Sequence, residues 1–134
     1  MGNSLVAFRG RGFWAYDDPL LTWLTVLGDN IPRSRTEQNP DWMLLIARHW
    51  SLSDWLSFPG GVYPCVDAVI TNDTRRDSLL EACARARAWV TQCGDTIPKI
   101  ELDKLVHSRV EWRGGDTPTH EALQVADRFI ALLG

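Results

Sequence analysis

The sequence predicts a mainly all-α fold: one compact domain over residues 1–134, a bundle of about five helices with an irregular N-terminal arm. Apolar residues recur at helical spacing in several segments. Asp, Asn and Pro residues mark where these segments begin. No alternating apolar and polar pattern is strong enough for a sheet of three or more strands. Amphipathic helices must bury their apolar sides on each other, which predicts a bundle.

The first two predicted helices share a starting signal. Asp18 can cap free amide groups, and Pro19 suits the first helical position, while Asn39 and Pro40 repeat this arrangement. Gly28 is placed to end the first helix in a left-handed conformation. The apolar stripe of the first helix consists of Leu20, Leu21, Trp23, Leu24 and Leu27.

The remaining helices are predicted from similar signals. Residues 62–71 fit either a strand or a short helix, and a short helix is favoured. The longest helix begins near Thr74 and Asp77, which approximate a capping box, and closes at Gly94. A further helix is expected over residues 98–108, and the last is expected to begin at Thr117, with Pro118 following it.

The segment before the first helix is the hardest to interpret. Residues 4–16 contain apolar residues on both sides of the sequence Arg-Gly-Arg-Gly, at positions 9–12. This pattern is compatible with an irregular arm or with a short strand. We expect an irregular arm.

Composition limits the classes of function. The formal net charge is −3 and the isoelectric point about 5.5, which argues against a dedicated nucleic-acid binder but permits a basic protein partner. Three cysteines, an odd number without short paired spacing, do not suggest a disulfide framework. No signal peptide or membrane-spanning stretch is visible, so we expect a cytoplasmic protein that does not contact a membrane.

No catalytic or metal-binding motif stands out in the sequence. His49, His107 and His120 lack zinc-like spacing to further ligands, and no Gly-x-Ser-x-Gly motif occurs. Cys65, after Pro64, is the one plausible reactive thiol, and it has no identifiable activating neighbour. The sequence therefore predicts no catalytic residue, metal or cofactor, and we expect that the protein is not an enzyme.

Seven tryptophans are unusual for a chain of this length. A small helical core cannot easily bury seven indoles and also pair every indole N–H group. Trp23, Trp50 and Trp89 fit helical stripes and are expected in the core. Tryptophan is enriched in protein interfaces, so those beside loops are candidates for partner contact. These are Trp14, Trp55 and Trp112.

Basic residues suggest an alternative function. Arg9 and Arg11 alternate with glycines, and Arg75 and Arg76 lie at a predicted helix start. These four residues could serve a small nucleic-acid-associated regulatory protein. Neither pair has the context of a phosphate-binding loop, and a tight turn with two solvated arginines is the simpler interpretation of residues 9–12.

The stretch from Arg9 to Asp17, Arg-Gly-Arg-Gly-Phe-Trp-Ala-Tyr-Asp, followed by the apolar start of the first helix, resembles small bacterial immunity proteins. These proteins are the antidotes of contact-dependent inhibition and other polymorphic toxin systems. The resemblance covers about the first 30 residues, together with size, acidity and helical content.

The resemblance implies a cytoplasmic protein that binds a cognate toxin domain, often a nuclease, and neutralises it by occluding its active site. An acidic, tryptophan-rich surface could fill the basic cleft of such a toxin. The partner-binding residues that we expect are Trp14, Tyr16, Asp17, Asp18, Asp54 and Trp55.

Overall fold

A computed structural model describes residues 3–31, 42, 50, 66–105 and 116–134. These residues form a mainly helical fold that also contains two small antiparallel sheets of two strands each. The prediction of a mainly helical fold is confirmed, and the two sheets correct the finer prediction of an all-α bundle. None of the described helices combines the length and apolar character needed to cross a membrane.

The N-terminal segment is a β-hairpin and not the irregular arm that we expected. Strand β1 (Asn3–Phe8) pairs with strand β2 (Arg11–Tyr16), and Phe8 lies opposite Arg11. The two residues between the strands have positive φ angles, 51° at Arg9 and 80° at Gly10, which is the geometry of a type I′ turn. The tight turn predicted for this segment is therefore confirmed.

Helix α1 (Asp17–Asn30) follows β2 directly and lies at the centre of the fold. Residues 22–30 are buried, because α1 is surrounded by the hairpin and the later helices. The predicted cap at Asp18 is wrong: Tyr16 occupies the capping position, and no side chain caps the helix there. Gly28 lies inside the helix, which continues for two further residues.

Two helices follow between residues 66 and 92. The short helix α2 (Val66–Val69) confirms the helical interpretation for the described part of residues 62–71. The long helix α3 (Asp73–Gln92) is capped by Asn72, whose side chain accepts a hydrogen bond from the Arg75 amide at 2.9 Å. The predicted capping box of Thr74 and Asp77 is therefore wrong, whereas the closing role of Gly94 is confirmed by its φ of 82°.

The C-terminal third consists of β3 (Thr96–Ile97), α4 (Lys99–Leu105), β4 (Thr117–Pro118) and α5 (Thr119–Leu133). Thr117 and Pro118 pair with β3, so the last helix begins two residues later than predicted. A buried hydroxyl contact of 3.0 Å between Thr22 and Thr117 ties β4 to α1. The second predicted helix, from Asn39, lies outside the described residues except for two tryptophans.

The core lies where α1, α3 and α5 pack together. At its centre, the Phe129 ring packs edge-to-face with two indoles, with centroids 6.1 Å from Trp23 and 6.0 Å from Trp50. The buried positions predicted for Trp23 and Trp50 are confirmed, and Trp89 is half-buried against the same core. The hairpin packs on α5 through its inner side.

Candidate functional site

The hairpin has one buried and one exposed side. Side chains alternate between the two faces of a strand, so Val6, Phe8 and Ala15 enter the core while their neighbours point outward. The outward side chains include three large apolar ones. We call these three the outer hairpin face: Leu5, Trp14 and Tyr16.

The outer hairpin face exposes an unusual amount of aromatic surface. Trp14 and Tyr16 are each 62 % exposed, and Leu5, directly opposite Trp14 in the strand register, is 46 % exposed. Trp14 and Tyr16 are two residues apart on one strand, so their rings lie side by side on the same face. Leu5, Trp14 and Tyr16 therefore expose apolar surface on one face of the hairpin.

The hairpin itself is held firmly by the rest of the protein. The amide of Arg9 donates a 3.0 Å hydrogen bond to the Asp67 carboxylate, and the Arg9 guanidinium forms a 3.0 Å ion pair with Asp73. Arg11 is the first residue after the turn, and its guanidinium donates a 3.2 Å hydrogen bond to the Leu132 carbonyl. The turn is therefore attached to α2, α3 and the end of α5.

Beside Trp14 and Tyr16, a groove runs between β2 and α5. Arg11 contacts Leu132, and the Arg128 guanidinium lies 3.5 Å from the Trp14 carbonyl oxygen, so β2 and α5 run in opposite directions. The space has a volume of about 350 Å³. We call it the β2–α5 groove; its lining includes Trp14, Tyr16, Pro19, Glu121, Gln124 and Arg128.

Two of the predicted acidic residues, Asp17 and Asp18, directly follow Tyr16 in the chain. Asp18 is exposed at the start of α1. Asp17 is half-buried, and its carboxylate accepts a 2.5 Å hydrogen bond from the Ser4 hydroxyl, which joins β1 to the start of α1. Asp17 therefore has a structural contact of its own. The remaining predicted site residues, Asp54 and Trp55, lie outside the described residues.

The structure adds three polar residues that sequence reasoning missed. Glu121, Gln124 and Arg128 lie on the exposed side of α5 and reach the same groove as Trp14. Their spacing indicates only that they share one side of a helix. The sequence carries no signal that this side faces β2, because the contact joins residues 114 positions apart.

The basic residues of the alternative function have partners within the protein. Arg76 lies 3.6 Å from Asp73 and 3.3 Å from Asp77. The Arg75 guanidinium donates to the Val69 carbonyl at 2.8 Å and lies over the Trp42 ring. The hydrogen bond and charge of Arg9, together with the charge of Arg76, lower the pKa of Asp73. Carboxylates therefore compensate the charges of Arg9 and Arg76, whereas Arg75 and Arg11 donate to carbonyl oxygens.

The described thiols and carboxylates do not form a reactive cluster. Cys83 is fully buried, and burial raises the pKa of its thiol; the pKa of the half-buried Cys93 is raised by burial and by the charge of Glu101. Within residues 3–31, 66–105 and 116–134, no three His, Cys, Asp or Glu side chains are placed to hold a metal ion. Cys65 lies outside these ranges.

Comparison with known proteins gives no further indication of a function. No protein-family model matches the chain, and neither a curated protein nor a solved structure is significantly similar to it.

Proposed function

We propose that this protein is an immunity protein, which binds the toxic domain of a cognate bacterial toxin in the cytoplasm and neutralises it by occluding the active site. One observation carries the proposal: Trp14 and Tyr16, each 62 % exposed, lie side by side on the outer hairpin face. The resemblance of residues 9–17 to immunity proteins falls on the same strand.

Exposed aromatic rings in this position favour a binding role. Large exposed apolar surfaces on soluble proteins mark sites of interaction. Trp and Tyr are the residues that most often dominate protein interfaces, because each brings a large rigid surface with few rotatable bonds. The hairpin that carries them is attached by Arg9 and Arg11, so little ordering is required when a partner binds.

The charges around the rings indicate the kind of partner. Asp18, which follows Tyr16 closely in the chain, and Glu121, which lines the groove with Tyr16, are exposed carboxylates, whereas Arg128 places a positive charge beside Trp14. The Tyr16 end of this surface is therefore acidic, and the whole chain has a net charge of −3. A surface with this sign attracts a basic surface and speeds the encounter at low salt. Many nuclease toxins present a basic cleft to nucleic acid, and this surface is complementary to such a cleft.

The test is a binding measurement with the toxic domain encoded by the neighbouring gene. We expect one stable complex by size-exclusion chromatography and loss of the toxin's activity in the complex. Trp14→Ala should raise the dissociation constant by about 30-fold or more, because a central interface tryptophan contributes about 2 kcal/mol or more. Calorimetry measures this change.

The matched control is Ile100→Ala. Ile100 on α4 is 64 % exposed, as apolar as the site residues, and does not line the groove. We expect its substitution to leave the affinity unchanged. Separate peaks at micromolar concentration, a neighbouring gene that encodes no toxin, or equal losses from the two substitutions would contradict the proposal.

A further inference from the structure

The β2–α5 groove has a floor and walls of different chemistry. Ala15 and Val125, both buried, form an apolar floor, and the exposed residues Trp14 and Tyr16 line the strand side. The helix side carries polar groups. A groove with a volume of about 350 Å³ and an apolar floor suits the unbranched stem of a long side chain.

The charges of the groove are separated along its length. Glu121 and Arg128 are seven residues apart on α5, which places them about 10 Å apart along the helix axis. Arg128 contacts the Trp14 carbonyl, and β2 runs opposite to α5, so Tyr16 lies toward the end that carries Glu121. One end of the groove is therefore acidic and aromatic, and the other is basic.

The acidic end has a charge that the described structure does not neutralise. In the part of the chain that the structure describes, no Lys or Arg forms an ion pair with Glu121. Neighbouring acidic residues do have partners: Asp127, on the same helix, is 2.8 Å from Arg87. A cation supplied by a partner would complete the charges at this end.

We propose that the β2–α5 groove binds a lysine or arginine side chain on an extended segment of the partner protein. The apolar stem lies on Ala15 and Val125, and the cationic head contacts the Tyr16 ring and the Glu121 carboxylate. An aromatic ring attracts a cation through its negative face, and a carboxylate adds a charge-assisted hydrogen bond. Arg128 repels a second cation at the other end and so selects the direction of the segment.

This inference rests on the proposed function only in that the partner is a protein, and a test with short peptides separates the two. The full chain is labelled with 5-fluorotryptophan, and the Trp14 resonance is assigned with Trp14→Phe by fluorine NMR. Blocked heptapeptides that differ only at the central residue, lysine, norleucine or glutamate, are then titrated.

We expect the lysine peptide to shift the Trp14 resonance in a saturable manner. Norleucine retains the whole carbon stem of lysine without the charge, and we expect its peptide to bind about three- to fivefold more weakly, as for an exposed ion pair with a cation–π contact. The glutamate peptide should bind more weakly still. Equal binding of the lysine and norleucine peptides, or no shift of the Trp14 resonance, overturns the inference.

A pair of variants locates the contact. Glu121→Gln removes the ion pair but not the cation–π contact, so it should weaken binding of the lysine peptide by about two- to threefold and leave the norleucine peptide unaffected. Glu81→Gln, which removes an exposed carboxylate on α3, is the control and should change neither. Equal effects of the two substitutions contradict the assignment to the groove.

The same variants distinguish the two proposals. If the toxic domain loses affinity for Trp14→Ala but not for Glu121→Gln, the proposed function stands and the binding of a basic side chain in the groove is rejected. If the lysine peptide binds through Glu121 but no toxin complex forms, the groove's chemistry stands and the immunity function fails.

Discussion

The tryptophan side chains divide between two environments. Trp23 and Trp50 are fully buried around Phe129, whereas Trp14 is 62 % exposed. The buried set was predictable because these residues fall on helical stripes. The Trp23 indole N–H has no hydrogen-bond acceptor in the described structure, which illustrates how difficult it is to satisfy several indoles in a small core. A strand, not a loop, holds Trp14 outward.

Cys83 is expected to make stability depend on alkaline pH. Burial raises its thiol pKa in the folded protein, while the unfolded thiol titrates near pH 8.5. Above that pH only the unfolded chain loses the proton, so raising the pH destabilises the fold by up to about 1.4 kcal/mol per pH unit. The stability that the protonated Cys83 thiol contributes is fully present below about pH 8.5 and is lost as the pH rises above that value.

Urea unfolding at pH values from 7 to 10 measures this effect. Cys83→Ala removes the thiol, and we expect its stability to fall less steeply than that of the parent above about pH 8.5. Parallel curves for the two proteins would show that the Cys83 thiol does not contribute. Cys93→Ala is a useful comparison, since Cys93 is only half-buried.

At the scale of elements, the hairpin is the main feature that differs from the sequence prediction. Its strands alternate between buried and exposed positions, but several outward positions carry apolar residues such as Leu5, Ala7 and Trp14. Buried and exposed positions alternate along the strands, but apolar and polar residues do not. The sequence pattern therefore does not indicate the strands. The turn uses Arg-Gly in place of the commoner Asn-Gly or Asp-Gly signal.

The start of α3 tests which residue caps a helix. Asn72→Ala removes the hydrogen bond to the Arg75 amide and should lower the free energy of unfolding by about 1 kcal/mol. Thr74 is exposed and belongs to the capping box predicted from the sequence. Thr74→Ala should change the free energy of unfolding by less than about 0.5 kcal/mol. Chemical denaturation measures both, and the reverse order of the two effects would exclude the Asn72 cap.

At the scale of the whole molecule, α1 and α5 organise the fold. The hairpin, α3 and β4 all contact α1, and α5 closes the core through Phe129 and supplies one wall of the groove. The same helix thus faces the interior with one side and the candidate site with the other. The amphipathic pattern of residues 119–133 predicts such a division but does not say which partner each side meets.

Phe129→Ala is expected to destabilise the entire fold. The substitution leaves a cavity between two buried indoles and should lower the free energy of unfolding by about 3–5 kcal/mol. Asp127→Ala, two residues away, removes only an exposed ion pair with Arg87 and should cost less than about 1 kcal/mol. Thermal unfolding followed by near-ultraviolet circular dichroism compares them; similar losses would mean that Phe129 is not central to the core.

Local chemistry along the chain was enough to predict most helices, the central tryptophans and the tight turn at residues 9–12. Helical periodicity, proline and glycine act within a few residues, so they can be recognised without tertiary contacts. The candidate site was only half predictable: Trp14, Tyr16 and Asp18 are close in sequence, whereas Glu121 and Arg128 come from the last helix.

Tertiary contacts decided the hairpin, the groove and the charges within it. The strands are stable because their inner residues pack on α1 and α5. The groove lies between β2 and α5 because contacts from Arg11 and Arg128 align these two elements. Packing between segments more than a hundred residues apart depends on the complementary shapes of folded elements. No periodicity within a single segment encodes that complementarity.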